Sequence, residues 1–580
     1  MAEPSAPNST LLYGLDDKPP LPKAIVLGFQ HVLTMFGSTV AIPLLFAPVL
    51  WPIPEGLPAE LADTLRQQQI TNTALLISCV MLCSGVATLI QSTLGSRLPI
   101  IQGVSFSFIA AFFGIIAATL DASPIDWEVA QGSVEGMNQQ LTLWQDNGAA
   151  AMRNIAGAVI GGAVIEMVIG FSGLMGLVRR ILSPVVVGPV IMLIGLALYP
   201  FGAANASADW PIAILTIVLI VLCAFVLGKL NILFRMFPML IAILGAVSVC
   251  AVLAQLDVFQ AGGVTADGVA VSPHPARPDL SAFNQSDWFR TATVFFPWGL
   301  PEFKTAFIVA VLAGYLASMI ESFGDYHACK NVAHPQGNDP TSAEVSRGIG
   351  CEGVGCALTG VFGGFSSTSY SENIGLVGLT KVGSRFVVQI GAVILVLLGL
   401  FGKFGALAAA IPGPVVGGLY CAMFGLIAAV GVRQFAKADL TSDRNLFIGG
   451  FALFMGLSLP YYFAADEGGA YVVNAYFGGL VESGIMSVGW ADGISSVINA
   501  VGNNGMGVAA VLGIVLDNVI PGTKAERGLE PRIPSTLIPE ADDVDADDPA
   551  AAEPTTATAA ETESKTKTHH EESSVFTDHH

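Results

Sequence analysis

Apolar blocks of roughly 18 to 25 residues recur about a dozen times between residues 20 and 520. A helix of that length crosses a hydrocarbon core about 30 Å thick. A chain in lipid must satisfy its own backbone hydrogen bonds, which leaves helices and closed barrels. Blocks this long read as helices. Composition agrees: of 580 residues 53% are hydrophobic and 12% charged, about half the charged share of a soluble domain. The predicted fold class is an all-α polytopic membrane protein.

Spans are expected near 23–47, 70–95, 101–119, 149–171, 181–202, 210–228, 236–256, 303–329, 346–364, 368–383, 385–404, 412–431, 445–464 and 503–521. The Gly-rich stretch 472–500 reads as interfacial or as part of the last hairpin. The first 22 residues are polar and Pro-rich, and the block after them is too long for a signal h-region and lacks a small-residue cleavage site, so no cleavable signal is expected. The eight cysteines lie in or beside apolar blocks and read as small packing residues; no metal or disulfide role is expected.

Charge is placed unevenly. The net charge is −20, and from Thr523 onward fourteen acidic residues against five Lys/Arg supply −9 of it. That tail, with the run Glu540 to Asp548, has little to bury and is expected to be disordered and solubilising. The acidic bias suits a cell rich in salt, such as a halophilic archaeon. With both termini on one side, seventeen Lys/Arg fall on that side and six on the other, the last two being Lys565 and Lys567 in the tail. By the positive-inside rule the termini are cytoplasmic.

The chain repeats itself. Pro184-x3-Gly188-x6-Gly195-Leu196 recurs as Pro414-x3-Gly418-x6-Gly425-Leu426, opening the fifth and twelfth spans. An offset of seven spans is odd, so the second copy is inverted, as in secondary transporters.

Two spans at corresponding places look broken. The third opens Gln102-Gly-Val-Ser-Phe106-Ser107-Phe108 and the tenth opens Phe365-Ser-Ser-Thr-Ser-Tyr370-Ser371, both rich in Ser and aromatics that favour extended structure. A short strand feeding a half-helix leaves free N–H groups at membrane depth, a site for carbonyls or anions. The strongest chemical signal is in the eighth span. Glu321 and Asp325 stand at i and i+4 on one helix face, where each carboxylate costs about 2.5–3.5 kcal/mol to insert and so marks function. Such a pair can take up a proton, accept hydrogen bonds from substrate N–H groups, or both. Glu352 in the ninth span and Glu372 at the tenth half-helix add two carboxylates, and Glu372 also suits a helix N-terminus. Glu166 reads as structural or coupling, and His31 as a core histidine or a coupling group.

Glu372-Asn373-Ile-Gly375-Leu-Val-Gly-Leu-Thr380-Lys381 resembles the signature of the nucleobase–ascorbate transporters (nucleobase:cation symporter-2). The likeness extends to Gln30-His31, Gln102-Gly103 and Glu321-Ser-Phe-Gly-Asp325, and covers nearly all of residues 20–520. It implies fourteen segments in a 7+7 inverted repeat, with two short strands in broken spans 3 and 10. A core domain (23–180 and 303–404) would hold substrate and a gate domain (181–256 and 405–522) would move against it. The remainder would be a cytoplasmic segment 1–22, an extracellular loop 257–302 and the tail 523–580. Substrate contacts implied by the resemblance fall on Glu321, Glu372, Phe106, Ser107, Ser371 and Asn373, with Asp325, Glu352 and His31 coupling a cation.

Asp325 is similar to purine and ascorbate carriers, Glu372 to uracil carriers, and Leu379 to Arg385 to the animal ascorbate branch, which has Pro where Glu372 stands. The expectation is therefore an importer of a nucleobase, uracil ahead of xanthine or urate, by symport with H⁺ or Na⁺. It would use no other cofactor, bind no nucleic acid, work as a homodimer in the plasma membrane, and be no enzyme. The alternative is an ascorbate or other anion transporter of the same fold. The chain shows no HExxH, no GxSxG and no His cluster of an intramembrane enzyme.

Overall fold

Long apolar runs with few interior charges fold as helices. In the computed structural model nine helices, among the described residues, are long and apolar enough to cross a membrane. The structure describes residues 11–529 apart from 55, 265–269, 272, 291–293, 335–338, 464–471 and 503. Fourteen segments follow the expected order. They are α1 (Leu21–Leu50), α2 (Ala59–Thr93), the broken span β1 (Gln102–Val104) with α3 (Ile109–Asp121), α4 (Val134–Ser172), α5 (Pro184–Ala197), α6 (Trp210–Val221) and α7 (Pro238–Gln255). The second half holds α8 (Thr305–Ala333), α9 (Ser342–Phe362), the broken span β2 (Ser367–Ser369) with α10 (Ser371–Thr380), α11 (Arg385–Leu400), α12 (Gly413–Phe435), α13 (Asp443–Phe463) and α14 (Gly505–Val519).

Helices α2 and α4 begin 11 and 15 residues before the expected spans. Their first turns are polar, with Gln and Glu among them, which form helix in water about as well as Leu, so hydropathy alone misses them. The stretch after α13 forms two further helices, Val472–Glu482 and Val488–Gly502, the second lying along α8. The acidic run falls outside the described residues, but the expected tail does not begin free. Asp439 donates its N–H to Glu526 O at 2.8 Å, and Arg527 Nη2 donates to Asp517 Oδ2 at 2.7 Å. Thr523 to Leu529 is thereby fixed to the end of α14.

The helices pack in two sets. Helices α1, α2, α4, α8, α9 and α11 surround the broken spans, and α5, α6, α7, α12, α13 and α14 form the second set; the two sets are labelled core and gate below. In the core, α4 and α9 touch backbone to backbone. A Cβ on Gly170 would lie 2.2 Å from Gly350 N, so no larger residue fits that crossing. In the gate, the repeat prolines Pro184 and Pro414 open α5 and α12, which pack on each other. Proline suits a first turn because its missing N–H would be unpaired there anyway.

Candidate substrate-binding site

The two broken spans meet. Strands β1 and β2 pair antiparallel with Gln102 opposite Ser369, Gly103 opposite Thr368 and Val104 opposite Ser367, the direction an inverted repeat requires. Ser105 N to Ser366 O and Tyr370 N to Ile101 O, both 3.0 Å, extend the ladder at each end. The Tyr370 ring lies over β1, its hydroxyl donating to Val104 O at 3.0 Å. A Cβ at Gly103 would fall 2.4 Å from that ring, which explains a glycine inside so short a strand. Phe106 to Phe108 then form a 3₁₀ turn into α3, with Ser107 N bonded to Ser105 Oγ at 3.2 Å. On the other side Tyr370 precedes α10 without a side-chain cap. Ser371 and Glu372 thus occupy the first turn, where helical N–H groups have no partner in their own ladder.

A cavity of about 310 Å³ opens at this point. Its core wall includes Phe106, Ser107, Glu321, Ser371 and Glu372, and its gate wall Ile194, Met423 and Arg433. The cavity gathers Glu321, Glu372 and the first turn of α10 on one wall, with Arg433 on the facing set. That arrangement accepts hydrogen bonds from N–H groups and donates to carbonyl oxygens. A second cavity of about 590 Å³, lined among others by Asp63, Arg66, His274 and Arg277, lies at the opposite end of α12, around Gly413 and Val416.

Four predicted residues are placed away from the cavity. Asp325 turns to the strand junction, where Ser369 and Ser371 hydroxyls each donate to it at 2.7 Å. Glu352 is 1% exposed and accepts from Ser318 (3.0 Å), Ser322 (2.8 Å) and Tyr326 (2.8 Å). Asn373, expected to bind substrate, is fully buried and faces α1 instead, its Nδ2 3.1 Å from His31 Nδ1 and 3.0 Å from His31 O. The pair fastens α10 to α1, and with that hydrogen bond the His31 ring holds a structural position. Glu321, Glu372, Phe106, Ser107 and Ser371 line the cavity itself.

Reasoning from sequence missed Thr368, Ser369 and Tyr370 as lining residues, although their short polar and aromatic run was the signal that exposed the broken span. It also missed the gate wall. Ile194 and Met423 are apolar residues on apolar helices, and nothing local sets them apart. Arg433 was counted only as a charge at a helix end.

Many apolar helices around a largely apolar cavity that holds two acidic residues at paired broken spans define a membrane transporter. The family model Xan_ur_permease, described as "Permease family", matches residues 22–465. Solute carrier family 23 member 1 of Rattus norvegicus is 35% identical over 546 residues, covering 91% of this chain and 83% of that protein. Nucleobase-ascorbate transporter 12 of Arabidopsis thaliana is 32% identical over 553 residues, covering 90% and 72%. Among solved structures, the transmembrane domain of a cyanobacterium bicarbonate transporter BicA aligns with 76% of this chain and 96% of its own at 14% identity and a TM-score of 0.41. The chain belongs to the nucleobase–ascorbate transporter family; it is a multi-pass membrane transporter and not an enzyme.

Proposed function

We propose that this protein imports a nucleobase across the plasma membrane by symport with a cation, its termini cytoplasmic and its core set moving against its gate set as in an elevator. The observation that carries the reading is the pairing, in one cavity, of the Glu321 and Glu372 carboxylates with the first turn of α10. Uracil, xanthine and urate present N–H and C=O groups on adjacent edges, and this cavity offers acceptors and donors in the same adjacency. The second cavity at the far end of α12 supports alternating access, because it supplies a vestibule on the other side of the same core–gate seam. A homodimer is the assembly proposed.

Ascorbate is the second reading, favoured by Arg433 in the cavity wall, which would attract an anion. Uptake of labelled uracil, xanthine, urate and ascorbate into proteoliposomes, with pH and Na⁺ gradients imposed separately, distinguishes them. Glu321→Gln is expected to insert normally and to lower nucleobase uptake by at least about 100-fold, on the order of 2.7 kcal/mol of lost recognition. Normal uptake by that variant would remove Glu321 from the binding role.

A further inference from the structure

A further cavity of about 360 Å³ opens on the flank of the core, away from the substrate site. It is lined by Asp16, Lys18, Thr93, Arg385, Phe386 and Gln389. Three span ends border it: Lys18 stands three residues before α1, Thr93 closes α2 and Arg385 opens α11. The cavity therefore sits where hydrocarbon gives way to headgroups and water. Its charges are unevenly matched. Arg385 Nη2 pairs with Asp16 Oδ1 at 2.7 Å, whereas Lys18 has no ion-pair partner among the described residues. The bridge leaves Arg385 with N–H donors to spare, since a guanidinium carries five. Helix α11 also opens without a side-chain cap, so its first turn adds a partial positive charge.

The face of α11 that closes the cavity continues into lipid. Phe386, Gln389, Val393 and Leu397 recur at helical spacing, and Val393 and Leu397 are exposed apolar residues. On a multi-pass membrane protein such a stripe meets acyl chains. Gln389 interrupts it one turn from the helix start, where an amide without partners is costly. Its Nε2 donates to Thr93 Oγ1 at 3.0 Å, which leaves its Oε1 and second N–H for a ligand.

We propose that this cavity binds the phosphate headgroup of an anionic phospholipid, whose acyl chains lie along the Val393 and Leu397 stripe of α11. Lys18 and Arg385 hold the phosphate, and the amide of Gln389 meets its ester oxygens and headgroup hydroxyls. The stripe favours a lipid over free phosphate, because it offers a soluble anion nothing. An occupied site also fastens the N-terminal segment. That segment pairs with the turn after α10 through Leu12 N to Lys381 O at 2.8 Å, Gly383 N to Tyr13 O at 2.9 Å and Arg385 N to Leu15 O at 3.0 Å. A headgroup between Lys18 and Arg385 holds the same two pieces together from the membrane side. The inference needs only insertion in a membrane; naming the leaflet as cytoplasmic rests on the orientation proposed above.

Native mass spectrometry of the purified, delipidated full-length protein tests it, with phosphatidylglycerol, phosphatidylcholine, glycerol phosphate and inorganic phosphate added separately. Phosphatidylglycerol is expected to be retained in preference to phosphatidylcholine, and neither soluble phosphate should displace it. Lys18→Gln and Arg385→Gln should each weaken phosphatidylglycerol binding about fivefold, the scale of one basic residue at an anionic surface. Lys229→Gln, exposed on the turn between α6 and α7 outside the cavity, is the control and should change little. Gln389→Leu removes no charge, so a lost preference for phosphatidylglycerol there separates a shaped site from general attraction. If Arg385→Gln does not fold, the Lys18→Gln and Gln389→Leu arms still decide the matter. Equal retention of both lipids, displacement by soluble phosphate, a Lys229→Gln as weak as Lys18→Gln, or an unchanged preference in Gln389→Leu would each overturn the proposal. None of these readouts involves uptake, so failure here and failure of the transport reading are separately visible.

Discussion

Glu352 in the core and Asp517 in the gate are both buried almost completely, and they are held in opposite ways. Glu352 in the core is surrounded by hydroxyls: Ser318, Ser322 and Tyr326 donate to it, and Tyr326 in turn accepts from Gln91 Nε2 at 2.5 Å. Asp517 in the gate is held by cations. Arg444 approaches its Oδ1 at 3.0 Å and Arg527 its Oδ2 at 2.7 Å, with Ser183 donating at 2.7 Å. Hydroxyl donors serve either protonation state, because each can rotate to donate or accept. Guanidinium groups serve only the anion. The surroundings of the core acid fit either charge state, and those of the gate acid fit only the anion.

The gate cluster also joins pieces of chain that no hydropathy pattern connects. Arg527 Nη2 reaches Arg180 O at 3.3 Å and Asn518 Nδ2 reaches Ile181 O at 3.1 Å, so the segment after the last span holds the linker between α4 and α5. Asp517→Ala is expected to cost more stability than any single change to the core acid. It leaves two buried guanidinium groups facing each other, and breaking a buried pair of this kind costs about 3–5 kcal/mol. Thermal unfolding of the purified protein, followed by intrinsic fluorescence, measures it; an unchanged midpoint would mean the cluster is solvated and the contrast with the core is wrong.

Next in size is the crossing that brings Glu166 and Glu352 together. Gly170→Ala forces a methyl into the backbone of Gly350, and overpacking of this sort costs about 1–3 kcal/mol. A variant as stable as wild type would show that α4 and α9 can separate.

How much was legible in the sequence differs between the two regions for a physical reason. Lipid imposes one requirement on every span, a long apolar stretch, so the helices and even the broken spans could be read from local composition. Of the residues that line the cavity, Glu321 and Glu372 stood out because carboxylates at membrane depth are costly, whereas Phe106, Ser107 and Ser371 came from the broken spans and the family resemblance. Asn373 and His31 stood out equally and yet bind each other, because composition reveals that a polar residue is buried without revealing which way it faces. Ser322 gave no signal, since single serines are common in helices, and Ser369 was visible only as one of a run that marked the broken span. Asp517, Arg444 and Arg527 were invisible as a cluster: two of them come from the ends of spans and the third from a segment expected to be free, and only tertiary packing brings them together.

The acid held by hydroxyls should be far easier to neutralise than the one held by cations. Glu352→Gln keeps one carbonyl acceptor for Ser318 and Ser322, and its new amide can donate to a rotated Tyr326 hydroxyl, so the expected loss is about 1 kcal/mol, the scale of one altered hydrogen bond. The same unfolding assay on Asp517→Asn supplies the control, with a loss several times larger because both arginines remain. Equal losses would end the distinction between the two regions.

The smallest effect belongs to an ion pair outside both clusters. Arg153 Nε lies 2.9 Å from Glu302 Oε1, with the two side chains 29% and 43% exposed. Water and salt screen such a pair, which is worth about 0.2–1 kcal/mol. Arg153 has a second tie, since its Nη1 donates to Trp298 O at 3.4 Å, too long to count for much. Arg153→Gln should therefore shift the unfolding midpoint only slightly, and raised salt should shift wild type toward the variant. The Asp517 cluster, dry and doubly paired, should not respond to salt at all, so one titration separates a bridge at the surface from a bridge in the interior. A gap between wild type and Asp517→Asn that salt closes, with a gap between wild type and Arg153→Gln that salt leaves unchanged, would reverse the assignment of buried and exposed charge.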